Sequence, residues 1–531
     1  MKTFAGIDLG TTYSALAVLN EQGKPEVVTN LAGDRLTPSV VWFPQGEEGV
    51  ARVGAEAKQM VAQQPQQVVQ FVKRHMGEPG YRFKAGEREW SAVEISALIL
   101  RKLKEECVQR GEAADVIVTV PAHFDEVQRK ATMDAGALAG LNVLGLVNEP
   151  TAAALYYASS HEVQGHVLVY DLGGGTFDVT VLEIKGAEVR ILTSKGDGYL
   201  GGIDFDRTIV RHYDAEHRAA HGTPLLPEAL WQSRANAPQP EAETRELYQR
   251  LLDLAEKDKR ALSARPQIAR TLATPAGETR VTLTRERFEE MISAYVAKTE
   301  MLVENALEDA KLRPQDVQAT LLVGGSTRVP VFARSLEQLM GRPPLAVVNV
   351  DEAVALGAAL AAGKRVQERT PRALSPAMST EISRTRLTDV CNHYFGVLAL
   401  DRSPGGQKVV RNTIMLRKNT PLPCSENHVF STVQANQRFA LIRITQTAEY
   451  ETDPDYARQI GQFQVPLPTN CPAGYGIKLR YTYDADQRLH CEAILANGRN
   501  FEGSLQLDGQ HAASQSEFRE KQQKLEKFTV E

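Results

Sequence analysis

The chain has 531 residues, with 61 Lys and Arg against 66 Asp and Glu and a formal net charge of −5. That length exceeds a single hydrophobic core, so two or more domains are expected. Hydrophobic residues make up 42% and charged residues 24%, the composition of a soluble globular protein. No long basic block supplies the clustered cations that nucleic-acid binding needs. No apolar run approaches the length of a membrane span; the nearest, 353–362, is short and rich in Ala. Asp8 interrupts any signal-peptide core at the start. The five cysteines (Cys107, Cys391, Cys424, Cys471, Cys491) are odd in number and lack C-x-x-C spacing, so free thiols and a cytoplasmic location are expected.

In chain order, 4–8, 14–19 and 25–29 read as a β-meander, followed by a strand at 39–43. Helical spacing marks 54–62 and 93–106, with Lys73-Arg74-His75-Met76-Gly77 between them. A strand at 116–120 stops at Pro121, a helix covers 125–139, and a short strand at 143–147 runs into Glu149-Pro150-Thr151, which opens a helix. A second lobe starts at 167–170 and continues with strands at 179–184 and 189–195. Residues 219–243, with four prolines, read as surface loop and short helix. A charged helix at 246–263, one long helix over 285–312, a strand at 319–323 and an Ala-rich helix over 351–364 follow. Composition then turns polar, with Pro371 and Pro376, as in a linker. Short alternating runs between 390 and 507 read as a β-sandwich, and 514–528 as one short charged helix at most. The expected division is 1–364, a linker over 365–387, a sandwich over 388–508 and a tail over 509–531.

The chemistry concentrates in loops that follow strands. Asp171-Leu172-Gly173-Gly174-Gly175-Thr176 ends an aliphatic strand on a carboxylate, three glycines and a hydroxyl. Successive backbone N–H groups in such a turn cradle an anion, and an Asp beside them calls for a cation between it and a phosphate. Ile7-Asp8-Leu9-Gly10-Thr11-Thr12 repeats the device, which implies two related lobes facing one nucleotide. Gly324-Gly325-Ser326-Thr327-Arg328 and Gly196-Asp197-Gly198-Tyr199-Leu200-Gly201-Gly202 are further glycine loops. Neither G-x-x-x-x-G-K-[ST] nor G-x-G-x-x-G occurs, and Gly363-Lys364 follows no strand. Asp8 and Asp171 suit a hydrated Mg²⁺, Glu149 an ordered water, and Lys73 the neutralisation of developing charge. Taken singly, each loop also reads as a plain turn, Lys73 as a solvated surface lysine and Glu149 as a charge at a helix start.

Residues 1–364 resemble the nucleotide-binding domain of the Hsp70 chaperone family. The likeness is carried by Gly6-Ile7-Asp8-Leu9-Gly10-Thr11-Thr12-Tyr13-Ser14, Val118-Thr119-Val120-Pro121-Ala122-His123-Phe124, Asn148-Glu149-Pro150-Thr151-Ala152-Ala153-Ala154-Leu155, the Asp171–Asp178 loop, Leu200-Gly201-Gly202-Ile203-Asp204-Phe205-Asp206 and Leu322-Val323-Gly324-Gly325-Ser326-Thr327-Arg328-Val329-Pro330. More loosely, 388–508 resemble the family's peptide-binding sandwich through Arg417-Lys418-Asn419-Thr420-Pro421-Leu422-Pro423 and Val429-Phe430-Ser431-Thr432. The whole resembles a short, divergent, lidless member of the HscC type.

That resemblance implies an α/β actin-like two-lobed ATPase domain, then an all-β peptide-binding sandwich without a full helical lid. It implies ATP/ADP and Mg²⁺, with Asp8, Glu149, Asp171 and Asp178 around the metal and its water. It puts Gly10, Thr11, Thr12, Tyr13, Gly173, Gly174, Gly175 and Thr176 at the phosphates, with Gly201 and Gly202 alongside, and makes Lys73 the catalytic lysine. Glu256, Lys259, Arg260 and Ser263 fall on the helix that closes over adenosine. Gly324, Gly325, Ser326, Arg328 and Asp351 complete the nucleoside side. Val397, Leu400, Phe430, Val433, Ala440 and Ile442 match the peptide cleft, although every sandwich has such residues as plain core. Implied partners are extended apolar peptides, a J-domain co-chaperone and a nucleotide-exchange factor, with no nucleic acid and no membrane.

The chain departs from the family in four places. The segment from Gly77 to Trp90 is short. The interdomain linker reads Arg386-Leu387-Thr388-Asp389, where only Leu387 and Asp389 fit, so weaker docking is expected. Gly145 replaces the basic residue associated with J-domain partners, while Pro121 and Arg129 of the interdomain relay are present. The stretch past Leu507 is too short for a lid. A chaperone that couples ATP hydrolysis to peptide binding is therefore expected. An ATP-dependent scaffold for one dedicated partner is the alternative, and a sugar kinase of the same superfamily is disfavoured by the linker and sandwich.

Overall fold

The computed structural model describes residues 4–108, 115–160, 164–231, 242–274, 277–345, 350–402, 407–485, 487–503 and 515–531. Two sheets built on one plan form the first part. In lobe I, Phe4–Asp8 pairs antiparallel with Tyr13–Leu19, which pairs with Pro25–Val27; on its other side Phe4–Asp8 runs parallel to Asp115–Val120, then Asn142–Asn148. In lobe II, Gly165–Leu172 pairs antiparallel with Phe177–Lys185, which pairs with Glu188–Asp197; on its other side it runs parallel to Val317–Val323. The repeated Asp–Gly–Thr loop therefore marks a repeated fold. In each lobe it is the turn between the first two strands of the meander. The strands are buried on both faces and read as continuous aliphatic runs.

Helices Glu149–Ser160 and Ala353–Arg369 pack against each other between the lobes. Their alanines are nearly all buried in one core that also takes Phe4 and Ala17 from lobe I and Val167 and Leu182 from lobe II. A Cβ on Gly357 would lie 1.7 Å from Ala152 O, so the two backbones approach as closely as they do only because that residue is glycine. The expected long helix over 285–312 is two helices, Arg285–Met291 and Ser293–Asp309, because Ile292 leaves helical geometry at φ −99°, ψ 5°. Of the expected surface segment 219–243, the short turn Glu228–Trp231 follows the helix Gly202–His221, and 232–241 lie outside the described residues.

The stretch 365–387, expected as a linker, is folded for most of its length. The Ala-rich helix continues to Arg369, and Pro376–Ile382 forms another whose Met378 and Ile382 are buried in the core between the lobes. Proline misleads here. Pro376 sits in the first turn of its helix behind Ser375, whose side chain accepts from Met378 N at 3.2 Å, and a proline at that position starts a helix. Only Arg386–Thr388 is extended, and it joins lobe II as a parallel edge strand, Leu387 opposite Val189. Main-chain pairing is indifferent to side chains, so the unusual linker sequence is docked all the same.

Beyond it, two four-stranded antiparallel sheets form the sandwich. One holds Lys408–Leu416, Tyr394–Arg402, Phe439–Thr447 and Arg458–Pro466; the other holds Cys424–Ser431, Gly476–Tyr483, Leu489–Leu495 and Asn500–Gly503. Strict alternation builds it: Ile477, Leu479, Tyr481 and Tyr483 point inward and the residues between them do not. Residues 504–514, which include the end of the expected sandwich, lie outside the described residues. The next element is a single helix, Gln515–Glu526, followed by the short strand Thr529–Val530. Cys391, Cys424, Cys471 and Cys491 are free thiols. Among the described residues no helix is long and apolar enough to cross a membrane.

Candidate functional site

A cavity of about 470 Å³ lies between the lobes. Asp8, Gly10, Thr11, Thr12, Tyr13, Lys73, Glu149, Asp171, Gly173, Gly174, Thr176, Gly202, Glu256, Lys259, Arg260, Ser263, Gly324, Gly325, Ser326, Arg328 and Asp351 all line it. Segments scattered over some 340 positions of sequence thus converge on one space. Gly175, Gly201 and Asp178 are not among the residues that line it.

The two repeated loops meet face to face. A Cβ on Gly174 would strike Thr12 Oγ1 at 1.9 Å, so glycine is what allows lobe II's loop to reach lobe I's. Lobe II's loop is closed by Gly173 N donating to Thr176 O at 3.0 Å, and is seated by Gly202 N on Gly173 O at 3.1 Å and Ile203 N on Gly174 O at 2.8 Å. Ser326 Oγ donates to Gly173 O at 2.8 Å and Lys259 Nζ to Gly202 O at 2.9 Å. The glycine loops therefore brace each other through the carbonyls of Gly173, Gly174 and Gly202. Thr12 Oγ1 is buried with no partner in the protein, as expected of a group awaiting an oxyanion.

Beneath the loops lies a crowded set of carboxylates. Asp171 and Asp178 stand directly opposite each other on paired strands, an arrangement that like charges disfavour. Asp8 and Glu149 join them, and Lys73 supplies the compensating charge by pairing with Glu149 while buried. Burial raises the Glu149 carboxyl to about 7, with Asp8 and Asp178 adding to the effect and Lys73 opposing it. Burial, then Glu149, Asp178 and Asp8, hold the Asp171 carboxyl well above its usual range. Burial raises Asp8 too, although Lys73 and a 2.8 Å hydrogen bond from Thr119 Oγ1 pull the other way. Such mutual repulsion is the signature of a site that takes up positive charge. The donors are all hard oxygens, which suits Mg²⁺. Among the described residues, however, no three His, Cys, Asp or Glu side chains converge tightly enough to grip an ion. Asp8, Glu149, Asp171 and Asp178 are accordingly not a direct four-carboxylate cage, and would meet a hydrated cation through its waters.

Residues outside the expected set complete the geometry. Arg74, next to Lys73, reaches across to lobe II: Nε and Nη2 donate to Gly175 O at 3.0 and 2.7 Å, and Nη2 donates to Asp204 Oδ2 at 2.6 Å. Asp204 in turn accepts from Gly201 N at 2.9 Å. His123 Nδ1 lies 3.2 Å from Asp178 Oδ1, and although burial disfavours its charge, Asp178 and Glu149 raise its pKa overall. At the cavity mouth Lys58 Nζ is 2.7 Å from Glu256 Oε2, and Tyr13 Oη accepts from both Lys58 and Arg260. Arg328 pairs with Asp351 at 2.7 Å. The sequence signal for Arg74 was its place beside Lys73; Lys58 lies on the short helix Ala55–Met60 with no motif around it.

The expected peptide-cleft residues do not stay together as one exposed set. Val397, Ala440 and Ile442 are buried in the sandwich core, because alternation in Tyr394–Arg402 and Phe439–Thr447 turns them inward. Phe430 is half-buried, while Leu400 and Val433 are exposed at 52% and 40%. Val429 and Phe439, which were not expected, are also exposed apolar residues. Val429 lies within Cys424–Ser431, an edge strand of its sheet, and Phe439 opens Phe439–Thr447, the strand after the crossover to the other sheet.

The sandwich is seated on lobe I and also meets lobe II, where Lys195 Nζ lies 3.0 Å from Glu449 Oε1. Asp389 Oδ2 accepts from Gln487 Nε2 at 2.6 Å and from Asn148 Nδ2 and Thr151 Oγ1 at 3.4 Å. Arg129, buried, donates to Asn148 Oδ1 at 2.5 Å and to Phe124 O at 3.1 Å. Tyr483 Oη donates to Glu126 Oε1 at 2.9 Å, and Glu126 N to Gln446 Oε1 at 3.1 Å. Asn148 directly precedes Glu149, so the residue that contacts the linker adjoins one that lines the cavity. Pro121 ends the strand that carries Thr119, and Gly145 lies in the outer strand of the lobe I sheet, opposite Ile117.

The family model for Hsp70 protein matches residues 4–531. The chain belongs to the Hsp70 family. It is 35% identical to proteins named chaperone protein DnaK from Thermotoga petrophila and Thermotoga maritima, over 97% of this chain and 82% of theirs.

Proposed function

We propose that this Hsp70 protein is a Mg²⁺-dependent ATPase whose nucleotide state controls how its sandwich binds extended apolar peptide, as a chaperone does. The observation that carries it is the cavity in which the two Asp–Gly–Thr loops face each other over the buried Lys73–Glu149 pair. The loops and the threonine hydroxyls bind phosphate oxygens through N–H and O–H donors. A bound Mg²⁺ supplies positive charge to the phosphates. Lys73 Nζ neutralises charge that develops on the transferred phosphoryl group, and Glu149, held by Lys73, orients the attacking water and accepts its proton. Arg74 keeps lobe II's loop in register with lobe I. The Lys58–Glu256 contact closes the mouth over the nucleoside.

Coupling to the sandwich runs from Glu149 through Asn148 to Arg129 and Asp389. On the sandwich, the outer side of the edge strand Cys424–Ser431, unpaired with another strand among the described residues, and the exposed Leu400, Val433 and Phe439 offer an extended apolar segment both main-chain bonds and side-chain contact. Phosphate release from ATP in single turnover, with and without Mg²⁺, tests the reading. Metal-dependent release supports it. Transfer to a sugar with no free phosphate, or no binding of ATP, would overturn it.

A further inference from the structure

The segment after the sandwich returns to the first lobe. Strand Thr529–Val530 extends the sheet of Val50–Val53, Val40–Trp42 and Val68–Gln70 as a parallel edge, with Val530 opposite Ala51. Main-chain bonds bracket it: Thr529 N donates to Gly49 O at 2.8 Å, Glu531 N to Ala51 O at 3.0 Å, and Val53 N to Glu531 O at 2.9 Å. Leu525 and Val530 are buried in the same apolar core as Val72, Met76 and Trp90. The Phe528 ring meets Trp90 edge-on at 5.0 Å, with the Arg88 guanidinium over both rings. Arg101 Nη1 donates to Leu525 O at 2.7 Å, and Arg52 pairs with Glu531 at 3.1 Å. Helix Gln515–Glu526 is polar and only 12 residues long, a length at which an isolated helix is marginal, so docking is what orders it.

The segments that precede and follow the sandwich in sequence therefore pair with opposite lobes. Arg386–Thr388, which leads into the sandwich, pairs with lobe II, and Thr529–Val530, which follows it in sequence, pairs with lobe I. We propose that residues 515–531 are an intramolecular clip on the edge strand Val50–Val53 which, with the linker strand, keeps the sandwich seated across both lobes. The core that receives the clip also holds Val72 and Met76, on either side of Lys73-Arg74, so the clip reaches the catalytic turn through packing. This holds whatever the sandwich binds.

Hydrogen exchange on the full chain tests it. In the unaltered protein the amides of Val53, Thr529 and Glu531 exchange slowly. Thr529→Pro removes the donor to Gly49 O at an exposed side chain, and Thr529→Pro with Val530→Asp also places a charge in the core. Either variant, still binding ATP, is expected to speed exchange at Val53 and at Arg386 in the linker strand by tenfold or more. A synthetic peptide of residues 515–531 added to the variant slows Val53 again. Fast exchange at Val53 in the unaltered chain overturns the clip. A loosened Val53 with an unchanged Arg386 overturns its role in seating the sandwich. Protection that grows with protein concentration alongside a dimer mass assigns the strand to a second copy and overturns the intramolecular arrangement.

Discussion

The cavity between the lobes and the sandwich are built on opposite principles. The cavity gathers polar groups from segments far apart in sequence and buries charge it cannot fully neutralise, with Asp171 opposite Asp178 and one lysine among four carboxylates. The sandwich is assembled from neighbouring hairpins around an apolar core, and leaves hydrophobic side chains such as Val429 and Phe439 in water. Under the proposed function the first takes an anion with its cation and the second an apolar segment. The contacts between them include Arg129, Asn148, Asp389 and Gln487, and the position of Asn148 one residue from Glu149 makes communication economical.

The contrast is broken most severely at Lys73. Lys73→Ala is expected to slow single-turnover hydrolysis by ~10²–10³-fold while ATP still binds, the scale of losing one positioned donor to developing charge; normal turnover removes Lys73 from the mechanism. Arg74→Ala removes the near cation from the buried Asp204 carboxylate, leaving it Gly201 N and Arg207 at 3.7 Å, and unties Gly175 from lobe I. Breaking such a pair costs about 3–5 kcal/mol, read as a fall in thermal stability that saturating ATP reverses only in part. Arg129→Ala leaves both binding surfaces intact and cuts the contact between them. The expected outcome is unchanged basal hydrolysis with loss of a peptide response of about 5–150-fold at most.

The mildest effect is that of pH at the seat of the sandwich. Burial raises Glu126 to about 7, despite Arg129 and the hydrogen bond from Tyr483. A carboxyl raised in the docked state favours docking fully below its ordinary value near 4.5, and that contribution is lost as pH rises through about 7. Asp389, raised by burial to about 6, acts in the same direction. His393, which burial lowers to about 3, opposes docking as pH falls below its usual value. Glu126→Gln isolates the first contribution. Docking followed by protection of the Arg386 amide is expected to weaken between pH 5 and about 7.5 in the unaltered protein, and less so in the variant.

Local patterns made much of this legible. The Asp–Gly–Thr loops are contiguous, and their duplication foretold two lobes of one plan. Period-two alternation announced the sandwich. What escaped depends on contacts across the chain. Arg74 matters because it spans the lobes, and Lys58 because a helix far from Glu256 brings it there. The same alternation that revealed the sandwich hid which face Val397, Ala440 and Ile442 occupy. Pro376 read as a loop signal yet starts a helix, since proline is at home in a first turn. The strand Thr529–Val530 is two residues long, and no periodicity exists at that length.

The most direct measurement of the central claim, that the cavity and the sandwich are two ends of one device, is the rate of ATP hydrolysis with and without a set of extended apolar peptides. The expected result is a rate that rises with peptide and saturates as the sandwich fills, in the unaltered chain and not in Arg129→Ala. Hydrolysis that proceeds at one rate whether or not peptide is bound would contradict it.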